Sequence, residues 1–296
     1  MARDIVDDRL IGALHLRALT RAGLDHDPVH EHQVIQAGTI DALLHGQYDS
    51  DITLAEVMRL GDLGIGTIAQ LDGELMILDG TAWVAGHDTV LRQVPLTTRT
   101  PFAVACMFSP RISHEVDAPM GWSELTALID ALAEAGIGEA GSPTEAGSPT
   151  RAGSHTQAGS SREAGSSYDA VIAVRIDGQF DDIGLRSVAR QTPPYPPLVE
   201  VVAHQTTWHV PSARGTLLGF RFPDATAGVE VPGYHLHFLS DDRTTGGHVL
   251  SLVLRHGTVS VDDCDDLHVA LPAGVELGTP GVTDRNAITS AEGDHG

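Results

Sequence analysis

A six-residue repeat divides this chain. From Ala140 to Ser167 it reads AGSPTE, AGSPTR, AGSHTQ, AGSSRE, AGSS. A hexapeptide period can wind into a β-helix only when each repeat points a bulky aliphatic side chain inward, and none does so here. Small polar residues bury too little surface to offset the entropy of ordering them, so residues 140–167 are expected to form a flexible insertion. The folded parts are then residues 33–139 and 168–296, with residues 1–32 as an N-terminal extension.

Both parts read as strands broken by turns. In the first, Gln33–Ala37, Thr67–Leu71 and Leu75–Leu78 are short apolar runs, the last two flanking Asp72-Gly73, a hairpin signal. Ser50–Leu60 and Ser123–Ala135 have helical periodicity, the second with Leu125, Leu128, Ile129 and Leu132 on one face and Gly136 as its stop. Leu10, Leu14, Leu16, Ala18 and Leu19 give the extension a helix-like pattern. In the second part, Tyr168–Ile176 runs into an Asp177-Gly178 turn. Leu198–Val202, Gly215–Phe222, Tyr234–Leu239 and Val249–Leu254 read as further strands. The proline-rich Gln191–Pro197 must be an extended connection. The expected class is α+β: two sheet-based subdomains with few helices.

Composition removes several functions. Forty acidic residues face 18 basic ones, every one an Arg, for a net charge of −22. That sign argues against nucleic acid, whose phosphates need cationic partners, and against an anionic membrane surface. No apolar run approaches a membrane span, and the N-terminus lacks the pattern of a secretory signal, so a cytoplasmic location is expected. Cys106 and Cys264 are too few for a disulfide framework and read as buried small hydrophobes. The 16 His residues are the one excess that points to chemistry.

They concentrate their meaning in Pro232–His248, PGYHLHFLSDDRTTGGH. His235 and His237 lie two apart in a strand-like run, so both imidazoles emerge on one face while Leu236 and Phe238 take the other. A Gly-rich turn returns the chain to His248, which a hairpin can set beside them. Three neutral imidazoles with an open position describe a catalytic zinc-type site. His-x-His alone is a weak signal, and His30-Glu31-His32 repeats the spacing. The rival arrangement is a cupin barrel, but Ser240 and Asp241 stand where a cupin would carry a Glu ligand.

Several segments together resemble the bacterial alpha-acetolactate decarboxylase family. They are Thr39–Ser50, Gly61–Gly80 (GDLGIGTIAQLDGELMILDG), Val174–Tyr195 with its R-Q-x-x-P-Y connection, and Gly215–His248, in matching order across residues 33–292. The resemblance implies that His235, His237 and His248 hold a zinc ion on strands of the C-terminal part. It implies that Glu74 is a carboxylate at the metal, ligating or moving a proton, and that Arg186 is the active-site arginine. Glu292, near the C-terminus, would be a second glutamate of the site. The implied reaction is metal-dependent decarboxylation of 2-acetolactate to (R)-acetoin and CO2, with zinc as the electron sink, in a homodimer. Two other readings stay open at this point: a cupin-like oxygenase or isomerase, and a non-catalytic metal-binding protein of the same fold.

Overall fold

The computed structural model describes residues 4–12, 14–140 and 170–277, with side chains omitted at 136–140. The repeat from Gly141 onward and Glu292 lie outside the described residues. In chain order the elements are β1 (Ile5–Ile11), β2 (Leu14–Leu19), α1 (Arg21–His26), β3 (Gln33–Ala37), α2 (Ile40–Leu44), α3 (Leu54–Met58), β4 (Leu63–Thr67), β5 (Glu74–Leu78), β6 (Thr81–Ala85), β7 (Leu91–Gln93), β8 (Phe102–Cys106), β9 (Ile112–Val116), β10 (Met120–Gly121) and α4 (Trp122–Ala140). After the repeat come β11 (Val171–Ser187), α5 (Leu198–Val202), β12 (Thr206–Phe222), β13 (Gly233–Ser240), β14 (Gly246–Cys264) and β15 (Asp266–Ala270). Strands dominate and helices are few, as the α+β expectation requires.

The strands form two sheets. The larger has the order β1-β2-β15-β3-β8-β4-β5-β6-β7, antiparallel except where β15 lies parallel to both β2 and β3. The smaller closes on itself: β11 pairs with β12 and β14, β12 with β13, and β13 returns to β14. β9 and β10 lie along β14. Each sheet thus takes strands from both sides of the repeat, because β15 sits within the larger and β9 and β10 extend the smaller.

Strand alternation decides which core each residue joins. On β12 and β13, Leu217, Leu236 and Phe238 pack with Leu125 and Ile129 of α4. Their neighbours Leu218, Phe220 and Leu239 turn the other way and pack with Ile65, Met76 and Val104 of the larger sheet. The second face carries the histidines.

Several local expectations are corrected. The N-terminal extension is a β1–β2 hairpin, not a helix; Leu14, Leu16 and Ala18 are buried on alternate residues, a period of two. Thr67–Leu71 is not one strand, since β4 ends at Thr67 and Ala69–Leu71 is a 3-10 turn before the β4–β5 hairpin closes. The helix within Ser50–Leu60 is only Leu54–Met58, opened by a capping box in which Glu56 accepts the Thr53 N–H at 2.7 Å. α4 runs past Gly136 to Ala140; one Gly costs about 1 kcal/mol against Ala, too little to stop an anchored helix.

Two corrections concern the smaller sheet. Leu198–Val202 is a helix after Pro197, with Leu198, Val201 and Val202 buried at helical spacing. Asp177-Gly178 makes no turn, because β11 continues to Ser187. Gly178 lies opposite Gly215 on one side and Gly257 on the other, a row of three glycines. A Cβ at Gly178 would fall 2.6 Å from the His256 carbonyl oxygen, so Gly serves close approach here.

Candidate metal centre and active site

The site is written in strand register. His248 of β14 lies opposite Arg186 of β11 on one side and His237 of β13 on the other. Directly opposed residues in antiparallel strands share a face, so the three side chains stand in a row. His235, two residues before His237, joins them. Gly246 and Gly247, expected in the turn, already belong to β14 and pair with Leu239 and Phe238. A Cβ on Gly246 would lie 2.7 Å from the Phe238 carbonyl oxygen and 3.2 Å from Met76 Sδ, so glycine lets the two sheets approach.

The imidazole rings are 5.0, 5.1 and 5.3 Å apart between centroids. One ring nitrogen from each of His235, His237 and His248 lies within 4.8 Å of the others, and all three residues are buried. His237 Nδ1 donates to the Leu75 carbonyl of β5 at 2.8 Å. That bond places the proton on Nδ1 and leaves the Nε2 lone pair facing the cluster. Nε2 is buried and has no hydrogen-bond partner among the described residues. Burial first, then the His235 ring and the Arg186 guanidinium, holds His237 well below its ordinary pKa. A neutral imidazole oriented by a carbonyl is what a metal ligand requires, so these residues could hold a metal ion.

Glu74 enters from the other sheet. It opens β5, is 7 % exposed, and reaches His237 Nε2 with Oε2 at 3.7 Å and Arg186 Nη1 with Oε1 at 3.5 Å. Arg186 is also buried. Five sequence-predicted residues, from β5, β11, β13 and β14, therefore converge. Glu292 lies outside the described residues. The decoy pair is elsewhere: His32 bonds Asp262 through Nδ1 at 2.5 Å.

A cleft partly open to solvent reaches this cluster. Glu74, Arg186 and His235 line it, together with apolar residues that include Leu43, Phe102, Leu198 and Val202. Sequence reasoning missed this apolar wall and the Leu75 carbonyl. A main-chain acceptor leaves no mark in residue identity, and the helix that supplies Leu198 and Val202 read as a strand.

Residues 34–136 and 155–278 match the family model described as alpha-acetolactate decarboxylase. Alpha-acetolactate decarboxylase of Methylococcus capsulatus is 36% identical over 268 residues, covering 90% of each chain. That of Bacillus subtilis strain 168 is 33% identical over 258 residues, 87% of this chain and 88% of the relative. The crystal structure of the B. subtilis enzyme superposes with a TM-score of 0.72 at 31% identity, covering 88% of this chain and all of that one. The chain belongs to the alpha-acetolactate decarboxylase family.

Proposed function

We propose that this protein decarboxylates 2-acetolactate to (R)-acetoin and CO2 at a zinc centre held by His235, His237 and His248. The observation that carries the reading is the convergence of three buried imidazoles with Glu74 and Arg186, in a chain of this family. Three ligands with an open position suit a catalytic zinc. When bound there, zinc supplies Lewis-acid stabilisation of negative charge on the ketone and hydroxyl oxygens of the substrate.

The protein groups have separable tasks. Arg186 offers a planar fork of donors that orients the carboxylate before it leaves. The bond from the carboxylate carbon to C2 breaks, CO2 departs, and the electron pair stays on the remaining enediolate. Glu74, protonated on Oε1 or Oε2, returns a proton to C2, and its fixed side makes a single enantiomer. The apolar residues of the cleft keep water from competing for that site.

The test is direct: zinc-loaded protein given 2-acetolactate should release acetoin and CO2 in equal amounts. No acetoin from fully loaded, folded protein would refute the assignment. A cytoplasmic location and a homodimer belong to the same proposal. Among the described residues no helix is long and apolar enough to cross a membrane, and light scattering of the purified chain would report the dimer.

A further inference from the structure

The cleft is lined by two chemically different sets of side chains: Glu74, Arg186 and His235 are charged or polar, while Leu43 of α2 with Leu198 and Val202 of α5 are apolar. These two helices come from opposite sides of the repeat and have five residues each. A single turn cannot hold its own position, because helix stability at that length comes from packing. Tyr48 supplies the anchor. It is fully buried, donates from its hydroxyl to the Pro196 carbonyl at 2.8 Å, and sets its ring 5.2 Å from that of Tyr195. The Tyr195 hydroxyl donates to Asp49 Oδ2 at 3.0 Å. The Gln191 N–H donates to the Gln70 carbonyl at 2.7 Å. The proline-rich connection into α5 is thereby clamped to the segment that follows α2 and to the turn after β4.

We propose that Leu43, Leu198 and Val202 set the size of the alkyl group on the carbon that loses the carboxylate, with Tyr48 as the positioning residue for that wall. The proposal rests on the decarboxylation proposed above. A 2-alkyl-2-hydroxy-3-keto acid carries its carboxylate, hydroxyl and ketone together, and these belong beside Arg186 and the histidines. Its alkyl group then faces the apolar wall. Leu43, Leu198 and Val202 are each 6 % exposed, so the cleft meets them as a buried apolar surface. A hydrophobic pocket discriminates against one extra methylene by about 10- to 200-fold.

The experiment compares homologous acids bearing methyl or propyl at that carbon. Reaction-inert 2,3-dihydroxy-2-alkyl acids are measured by calorimetry on the zinc-loaded protein, and the keto acids by kcat/KM. The native protein should favour methyl by about tenfold or more. Leu43→Ala and Val202→Ala should each raise the propyl-to-methyl ratio about tenfold, while Val202→Ile, which preserves the buried apolar contact, should lower it. Tyr48→Phe should relax the ratio and raise KM for the methyl acid, leaving kcat within about twofold. Unchanged ratios in these variants, in both binding and turnover, would overturn the proposal. Size-selective binding without any turnover would instead sink the decarboxylase reading and leave the wall's role standing.

Discussion

His237 of the smaller sheet donates its Nδ1 proton to the Leu75 carbonyl of the larger one at 2.8 Å. The contact fixes the imidazole tautomer and ties the two sheets beneath the cleft. Leu75 directly follows Glu74 on β5, so one strand both orients a histidine and delivers the carboxylate beside it.

Removing that histidine should remove the metal. His237→Ala is expected to lower bound zinc from about one per chain to below about a tenth, since a three-ligand site has no spare donor. Acetolactate turnover should fall with it. Elemental analysis of folded protein, checked by circular dichroism, reads the outcome; full zinc retention would be incompatible with the His235, His237 and His248 set.

Arg186 and Glu74 should separate metal binding from catalysis. Arg186→Lys keeps the charge but loses the planar fork, and kcat/KM should fall about 10²-fold or more, the usual scale for a donor aimed at reacting charge. Glu74→Gln keeps the shape and loses the transferable proton, so kcat should fall about 10²- to 10⁴-fold. Both variants should retain zinc. Steady-state kinetics alongside zinc content decides; native turnover in Glu74→Gln would exclude Glu74 as the proton donor.

Gly66 tests the backbone that lines the cleft. Its φ is +150°, and a Cβ there would lie 2.3 Å from the Phe102 carbonyl oxygen. Gly66→Ala should destabilise the fold by more than about 1 kcal/mol, measured as a lower midpoint in denaturant. An unchanged midpoint would show that β4 and β8 can separate at no cost.

The N-terminal hairpin should respond to pH. The hydrogen bond to Asp8 is the largest influence raising the His15 pKa above 6.5, and the same bond lowers Asp8 below 3.8. His15 adds stability that is full below its unfolded pKa and is lost as pH rises through its raised folded value. Asp8 adds stability present above its unfolded pKa and lost as pH falls through its lowered one. The Tm difference between the native protein and His15→Gln should be largest between about pH 4 and 6 and close on the alkaline side. A difference that widens with pH would reverse the assignment.

The sequence held the site more legibly than the fold around it. His235 and His237 obey the two-residue period of a strand, and a hairpin return had to bring His248 near, so residue spacing alone carried that geometry. Glu74 and Arg186 came through resemblance, because no local rule relates positions 112 residues apart in the chain. Leu14, Leu16 and Ala18 show a strand's alternation, but Leu10 and Leu14, four apart, suggested a helix. Asp177-Gly178 carries turn chemistry that tertiary packing overrode, since the three-glycine row of Gly178, Gly215 and Gly257 uses the missing Cβ for interstrand approach. Leu198–Val202 is too short for periodicity to separate helix from strand.

The central claim is that the three-histidine site is the catalytic centre, and activity as a function of bound zinc tests it most directly. Protein stripped by a chelator and titrated with zinc should regain acetolactate decarboxylation in proportion to metal, reaching its plateau near one zinc per chain. Full decarboxylation by folded, metal-free protein would contradict it.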